Sequence, residues 1–167
     1  MTTIVGVFDD FTAALNAIPA LVDAGVDGHS ISTVAQDNKG EYAKFLQAEA
    51  LPEGHSHVGV GATVGGISGL LLGLAALAIP GIGPVIAAGP LVAAIAGTTL
   101  GAATGGLLGA LNGMGVPDFE AKAYDQGVRE GSTLLVIQTR PELVDPVSAI
   151  LREQHAVRID QHESPRP

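Results

Sequence analysis

Between Glu53 and Asp118 the chain runs for 64 residues without a single Asp, Glu, Lys or Arg, while all 17 acidic and 8 basic residues of the 167-residue protein lie outside that stretch. Within it, glycines stand at Gly61, Gly65, Gly69 and Gly73, and again at Gly97, Gly101, Gly105, Gly109 and Gly113. In a helix, a spacing of four puts these residues on one slowly drifting face and leaves a groove into which a second backbone fits. Each interior glycine costs an isolated helix roughly 0.8 to 1 kcal/mol relative to alanine, so the pattern demands close packing or an apolar solvent.

The register predicts two helices, over about residues 58–79 and 91–114, each ~30 to 36 Å long at 1.5 Å per residue. Pro80, Gly81, Gly83, Pro84 and Pro90 fall between them and predict the turn of a helical hairpin. Two environments satisfy the glycine face. One is lipid, because each helix is long enough to cross a ~30 Å hydrocarbon layer and both ends return to the same side. The other is a homo-oligomer in which hairpins of several subunits bury one another. The apolar tip, the Ala/Gly filling and the lack of an aromatic belt weigh against lipid. A hairpin folded back on its own sheet is disfavoured, since so many uncharged residues exceed what a four-stranded face covers.

The flanks read differently. Residues 3 to 8 form a short apolar strand that stops at Asp9 and Asp10. A helix then runs to Ala24, with Asp10 or Thr12 as its cap, Pro19 as an interior blemish and Gly25 as its stop. Residues 31 to 35 read as strand two. After the uncharged stretch, a helix is expected over residues 118 to 130 with Phe119, Ala123, Tyr124 and Val128 on its apolar face. Strand three follows at residues 133 to 139, too apolar to be an edge, then a helix from Pro141 to about Gln154 and strand four at residues 156 to 159. This order predicts an α+β, ferredoxin-like split βαβ fold. Residues 1–53 and 118–160 jointly form its four-stranded sheet, the helical hairpin 54–117 is inserted between strands two and three, and 161–167 is a disordered tail.

Composition narrows the chemistry. A net charge of −9 leaves no basic stripe for nucleic acid. The absence of cysteine removes thiolate metal sites and cysteine nucleophiles. The N-terminus lacks the basic start and apolar core of a secretory signal, which points to a cytoplasmic head, with the hairpin in a soluble assembly or at the cytoplasmic membrane.

No glycine run ends in Gly-Lys-Ser or Gly-Lys-Thr, and Ser68 lacks the closing glycine of a nucleophile elbow because Leu70 stands there. His55 and His57 form a His-x-His pair with Glu53 as the only adjacent acid; a polar boundary explains them better than a metal. His29, His155 and His162 read as surface residues. With no nucleophile, base and orienting group to assemble, the expectation is a non-enzyme without metal or cofactor. The alternative is a soluble ligand-binding or regulatory ferredoxin-like module that takes an unspecified small ligand on its sheet face and uses the hairpin only for oligomerisation.

Several segments resemble the bacterial heat-induced general stress protein domain family and its low-temperature-induced relatives: Ile4-Val-Gly-Val-Phe-Asp, Ala78-Ile-Pro-Gly-Ile-Gly-Pro, Ala88-Gly-Pro-Leu91, Gly113-Met-Gly-Val-Pro117, and Tyr124 to Gly131 leading into Leu134-Leu-Val-Ile. The Gly-Val-Pro junction followed by a Glu-Ala-x-x-Tyr helix is the most telling of these. The resemblance implies association with stress and no established reaction, so no catalytic residue transfers.

Overall fold

The computed structural model describes residues 1–42, 44, 75–79, 82–96 and 106–163. Its sheet has six strands: β1 (Thr2–Phe8), β2 (Ile31–Gln36), β3 (Ala75–Ile79), β4 (Gly83–Ala88), β5 (Thr133–Thr139) and β6 (Arg158–Glu163). They lie in the order β3-β4-β2-β5-β1-β6, every neighbouring pair antiparallel. The described helices are α1 (Phe11–Asp23), α2 (Pro90–Ala96), α3 (Gly106–Gly113), α4 (Asp118–Arg129) and α5 (Val144–Glu153).

This overturns the four-stranded ferredoxin-like sheet with a projecting helical hairpin. Two strands come from inside the charge-free segment, and helices cover both faces of the sheet instead of one. Alternation along the strands sorts the core into two layers. Ile4 and Phe8 of β1, Ile31 and Ala35 of β2, and Leu135 and Ile137 of β5 pack with Phe11, Leu15 and Ile18 of α1 and Val147 and Leu151 of α5. Val5, Val34, Leu134 and Val136 face the other way, against Leu91 of α2, Leu107 and Leu111 of α3, and Tyr124 and Val128 of α4. Each fully buried Leu or Ile stabilises these layers by roughly 1.5 to 3 kcal/mol. The strands at the centre are therefore apolar on both sides, which is why β5 reads as one unbroken hydrophobic run.

The flank helices follow their local signals. Asp10 caps α1, its carboxylate accepting the Thr12 N–H at 3.0 Å, worth about 1 kcal/mol. The end of α1 is closed by Val26 N–H to the Leu21 carbonyl and Gly25 N–H to the Val22 carbonyl, with Gly25 at φ 94°. Pro19 is accommodated within the helix. Pro141 opens a single 3-10 turn, Pro141–Leu143, and α5 begins only afterwards.

Further expectations are corrected by packing. On α4 the buried residues are Ala121, Tyr124 and Val128, whereas Phe119 is 72% exposed and Ala123 is exposed too. The inward face is set by where α3 and the sheet lie, and it sits one step round the helix from the face drawn on hydrophobicity. The last strand begins at Arg158, and residues 161 to 163, read as disordered, belong to it because β1 offers a full ladder down to Thr2↔Glu163.

The largest correction concerns the insert. Residues 75–79, expected at the end of its first helix, form β3, and residues 83–88, expected in the hairpin turn, form β4. β4 pairs with β2 through Thr33↔Ala88 to Gln36↔Val85, and β3 pairs with β4. Pro84 stands at the start of β4, where it withholds one ladder donor from β2 while its carbonyl still accepts from Asp37 N–H at 3.0 Å. The second helix, expected over 91–114, contains α2 and α3, and both pack on the second face of the sheet, the arrangement that had been disfavoured. That face is not covered by α1 or α5, and its apolar side chains require a cover.

One glycine seats this arrangement. At Gly89, between β4 and α2, a Cβ would lie 2.1 Å from the Ile31 carbonyl oxygen and 2.8 Å from Ser32 Cα, and φ is 78°. Two residues on, Leu91 N–H donates to Ser32 Oγ at 3.2 Å. No side chain fits where the backbone of the insert presses on β2.

Candidate functional site

The zipper glycines that lie among the described residues are Gly109 and Gly113, both on α3. Leu107, Ala110 and Leu111 point into the core, and the glycine row faces away from it. A Cβ added at Gly109 or Gly113 would meet no described atom within 4 Å. Neither glycine is used for close packing within the described fold. Gly61, Gly65, Gly69, Gly73, Gly97, Gly101 and Gly105 lie outside the described residues, as do His55, His57, Pro80 and Gly81. Of the other residues assigned to the hairpin turn, Gly83 and Pro84 lie on β4 and Pro90 is the first residue of α2.

A second cluster escaped the sequence reading. Arg158, Asp160 and His162 alternate along β6 and so share one sheet face, where Glu120 and Tyr124, one helical turn apart on α4, meet them. The Tyr124 hydroxyl donates to Asp160 Oδ2 at 2.6 Å and lies 3.4 Å from Glu120 Oε2. Arg158 pairs through Nε with Asp160 Oδ2, its Nη2 lies 3.7 Å from Glu120 Oε2, and its guanidinium sits 5.3 Å from the centre of the Tyr124 ring. His162, expected at the surface, has a side chain only 7% exposed, with Nε2 at 3.4 Å from Glu120 Oε2. That nitrogen makes no hydrogen bond of good geometry.

Burial, together with the hydrogen bond to Asp160 and the negative charges of Asp160 and Glu120, holds the Tyr124 phenol well above its ordinary pKa. Tyr124 is thus a committed hydrogen-bond donor, unsuited to act as a base or nucleophile near neutral pH. What the cluster does chemically is fasten β6 to α4. Among the described residues, no group of three or more His, Asp or Glu is arranged to hold a metal ion. The signal for the cluster was present in Arg158-Ile-Asp-Gln-His-Glu163, whose alternation is visible once the strand is carried past Ile159.

No protein-family model matches the chain, and no curated protein or solved structure matches it either. The architecture defines an α+β protein with a six-stranded antiparallel sheet between two helical layers.

Proposed function

We propose that the protein is a non-enzymatic, self-associating protein that uses its Gly/Ala-rich insert to contact further copies of itself, in a stress-response setting suggested by the resemblance alone. The observation that carries the reading is the outward row of Gly109 and Gly113, open to 4 Å among the described atoms, within a segment that holds no charge. Two such faces approach without Coulomb repulsion and without the desolvation of charged groups. Among the described residues no helix is long and apolar enough to cross a membrane, and lipid association is an outcome of the test.

The alternative, a regulatory module binding a small ligand on its sheet face, is not favoured, because both faces of the sheet carry packed helices. The test is the native mass of the purified protein, with membrane fractionation alongside. The wild-type protein should exceed its 16.8 kDa chain mass without detergent. Gly109→Leu and Gly113→Leu should reduce assembly while leaving the melting temperature close to wild type, since no described atom lies within 4 Å of an added Cβ. A detergent-free monomer at tens of micromolar, or recovery only with lipid, would sink this reading.

A further inference from the structure

We infer that β3 is a self-complementary edge that pairs antiparallel with β3 of a second copy, joining two six-stranded sheets about a two-fold axis at Leu77. The inference rests on the self-association proposed above and names one interface for it.

The backbone direction of β3 follows from its neighbours. Asp37 N–H donates to the Pro84 carbonyl, so in β4 the backbone groups of residues 84, 86 and 88 face β2, and those of 83, 85 and 87 face β3. The register Ala75↔Ala87, Leu77↔Val85 and Ile79↔Gly83 then turns the N–H and C=O groups of Ala75, Leu77 and Ile79 toward β4. Those of Ala76 and Ala78 point to the other side, where no described strand pairs with them. Two identical strands placed antiparallel and centred on Leu77 bring Ala76 of one opposite Ala78 of the other, twice. Both pairs are of the hydrogen-bonded kind, and every outward group of Ala76 and Ala78 gains a partner. The contact is isologous and closes on itself.

Charge selects a second copy as the occupant. An edge strand is a template for pairing unless charges, proline or a cover blunt it. The opposite edge, β6, carries Arg158, Asp160, His162 and Glu163 within six residues, whereas β3 reads Ala-Ala-Leu-Ala-Ile. The net charge of −9 lies wholly outside residues 54–117, so two copies that meet along β3 bring no like charges onto facing strands.

The test uses the full chain and three variants. Ala78→Pro removes an outward N–H and none from the β3–β4 ladder, so it should cut the wild-type particle mass about twofold while the circular dichroism spectrum and melting temperature stay as in wild type. Because the protein has no cysteine, Leu77→Cys introduces a single thiol at the axis, where facing residues of an antiparallel pair are close enough for a disulfide. It should give a covalent dimer on mild oxidation, reversed by reductant, whereas Gln161→Cys on β6 should not. If wild type assembles but Leu77→Cys stays uncross-linked, or a folded Ala78→Pro variant keeps the full particle mass, the strand pairing is wrong and self-association must use another surface. Should Ala78→Pro fail to fold, the cross-link decides. Wild type at 16.8 kDa would overturn both proposals.

Discussion

The two ends of the sheet are held by opposite means. At the β6 end, a strand of polar and charged residues is fastened to α4 by Tyr124, Glu120, Arg158 and Asp160, directional groups whose geometry is set by hydrogen bonds and ion pairs. At the β3–β4 end neither strand carries a charged residue, and the chain is seated mainly by backbone ladders, by Gln36 Nε2 donating to the Ile82 carbonyl at 2.7 Å and by the approach of Gly89 to Ile31 and Ser32. The difference teaches what each end tolerates. The polar end answers to pH and to deletion of single atoms, while the apolar end answers to volume.

The sharpest way to break that contrast is Gly89→Ala. Its Cβ would overlap backbone on β2, which cannot swing aside as a side chain would, and the positive φ adds strain. A loss of about 3 kcal/mol or more is expected in chemical denaturation, at the upper end for single substitutions. A loss under ~1 kcal/mol would show that the insert is not seated by this contact.

At the polar end, Tyr124→Phe keeps the ring and deletes the donor to Asp160, for an expected cost of about 1 to 2 kcal/mol at neutral pH. The pH dependence has a definite sign. Tyr124 has its folded pKa raised above the ordinary value of 10.0, so the stabilisation linked to its neutral form is complete below that pH and is lost as pH climbs above it. Alkaline titration followed by phenolate absorbance should show Tyr124 ionising only as the fold opens. Tyr124→Phe should flatten the alkaline decline in stability. An early, reversible ionisation of Tyr124 in the folded protein would remove it from the clip.

The smallest effect is expected at the turn leading into β6. The end of α5 repeats the arrangement at the end of α1, with Ala156 N–H bonded to the Leu151 carbonyl and His155 N–H to the Arg152 carbonyl, but His155 occupies the position with φ 64°. His155→Gly relieves that conformation and should stabilise the protein by about 0.5 to 1 kcal/mol, net of the extra freedom glycine gains when unfolded. A stability loss on this substitution would mean that the imidazole makes a contact the exposed turn does not display.

Much of the flank architecture was legible because its signals are local. Asp10 before Phe11, Gly25 after α1 and the Leu134-to-Ile137 run each act within a few residues, and the structure puts a cap, a stop and a central strand there. The insert resisted reading because its residues satisfy more than one solution. Ala75-Ala-Leu-Ala-Ile79 carries good helix formers and no alternation, yet it is a strand, since β4 supplies a ladder and β2 in turn supplies one to β4. The polar clip was missed for a related reason: its acids lie on two elements far apart in sequence, and no window includes both Glu120 and Asp160.

By itself, then, the amino-acid sequence determined the partition of charge, the caps and stops of the flank helices and the strands of the sheet's centre, because those depend on hydrophobicity and on chemistry between near neighbours. Tertiary structure decided that the sheet grows to six strands, that the second face is covered by α2, α3 and α4, and that Tyr124 meets Asp160. Ladders and buried polar pairs join residues distant along the chain, so their energy exists only once both partners are in place.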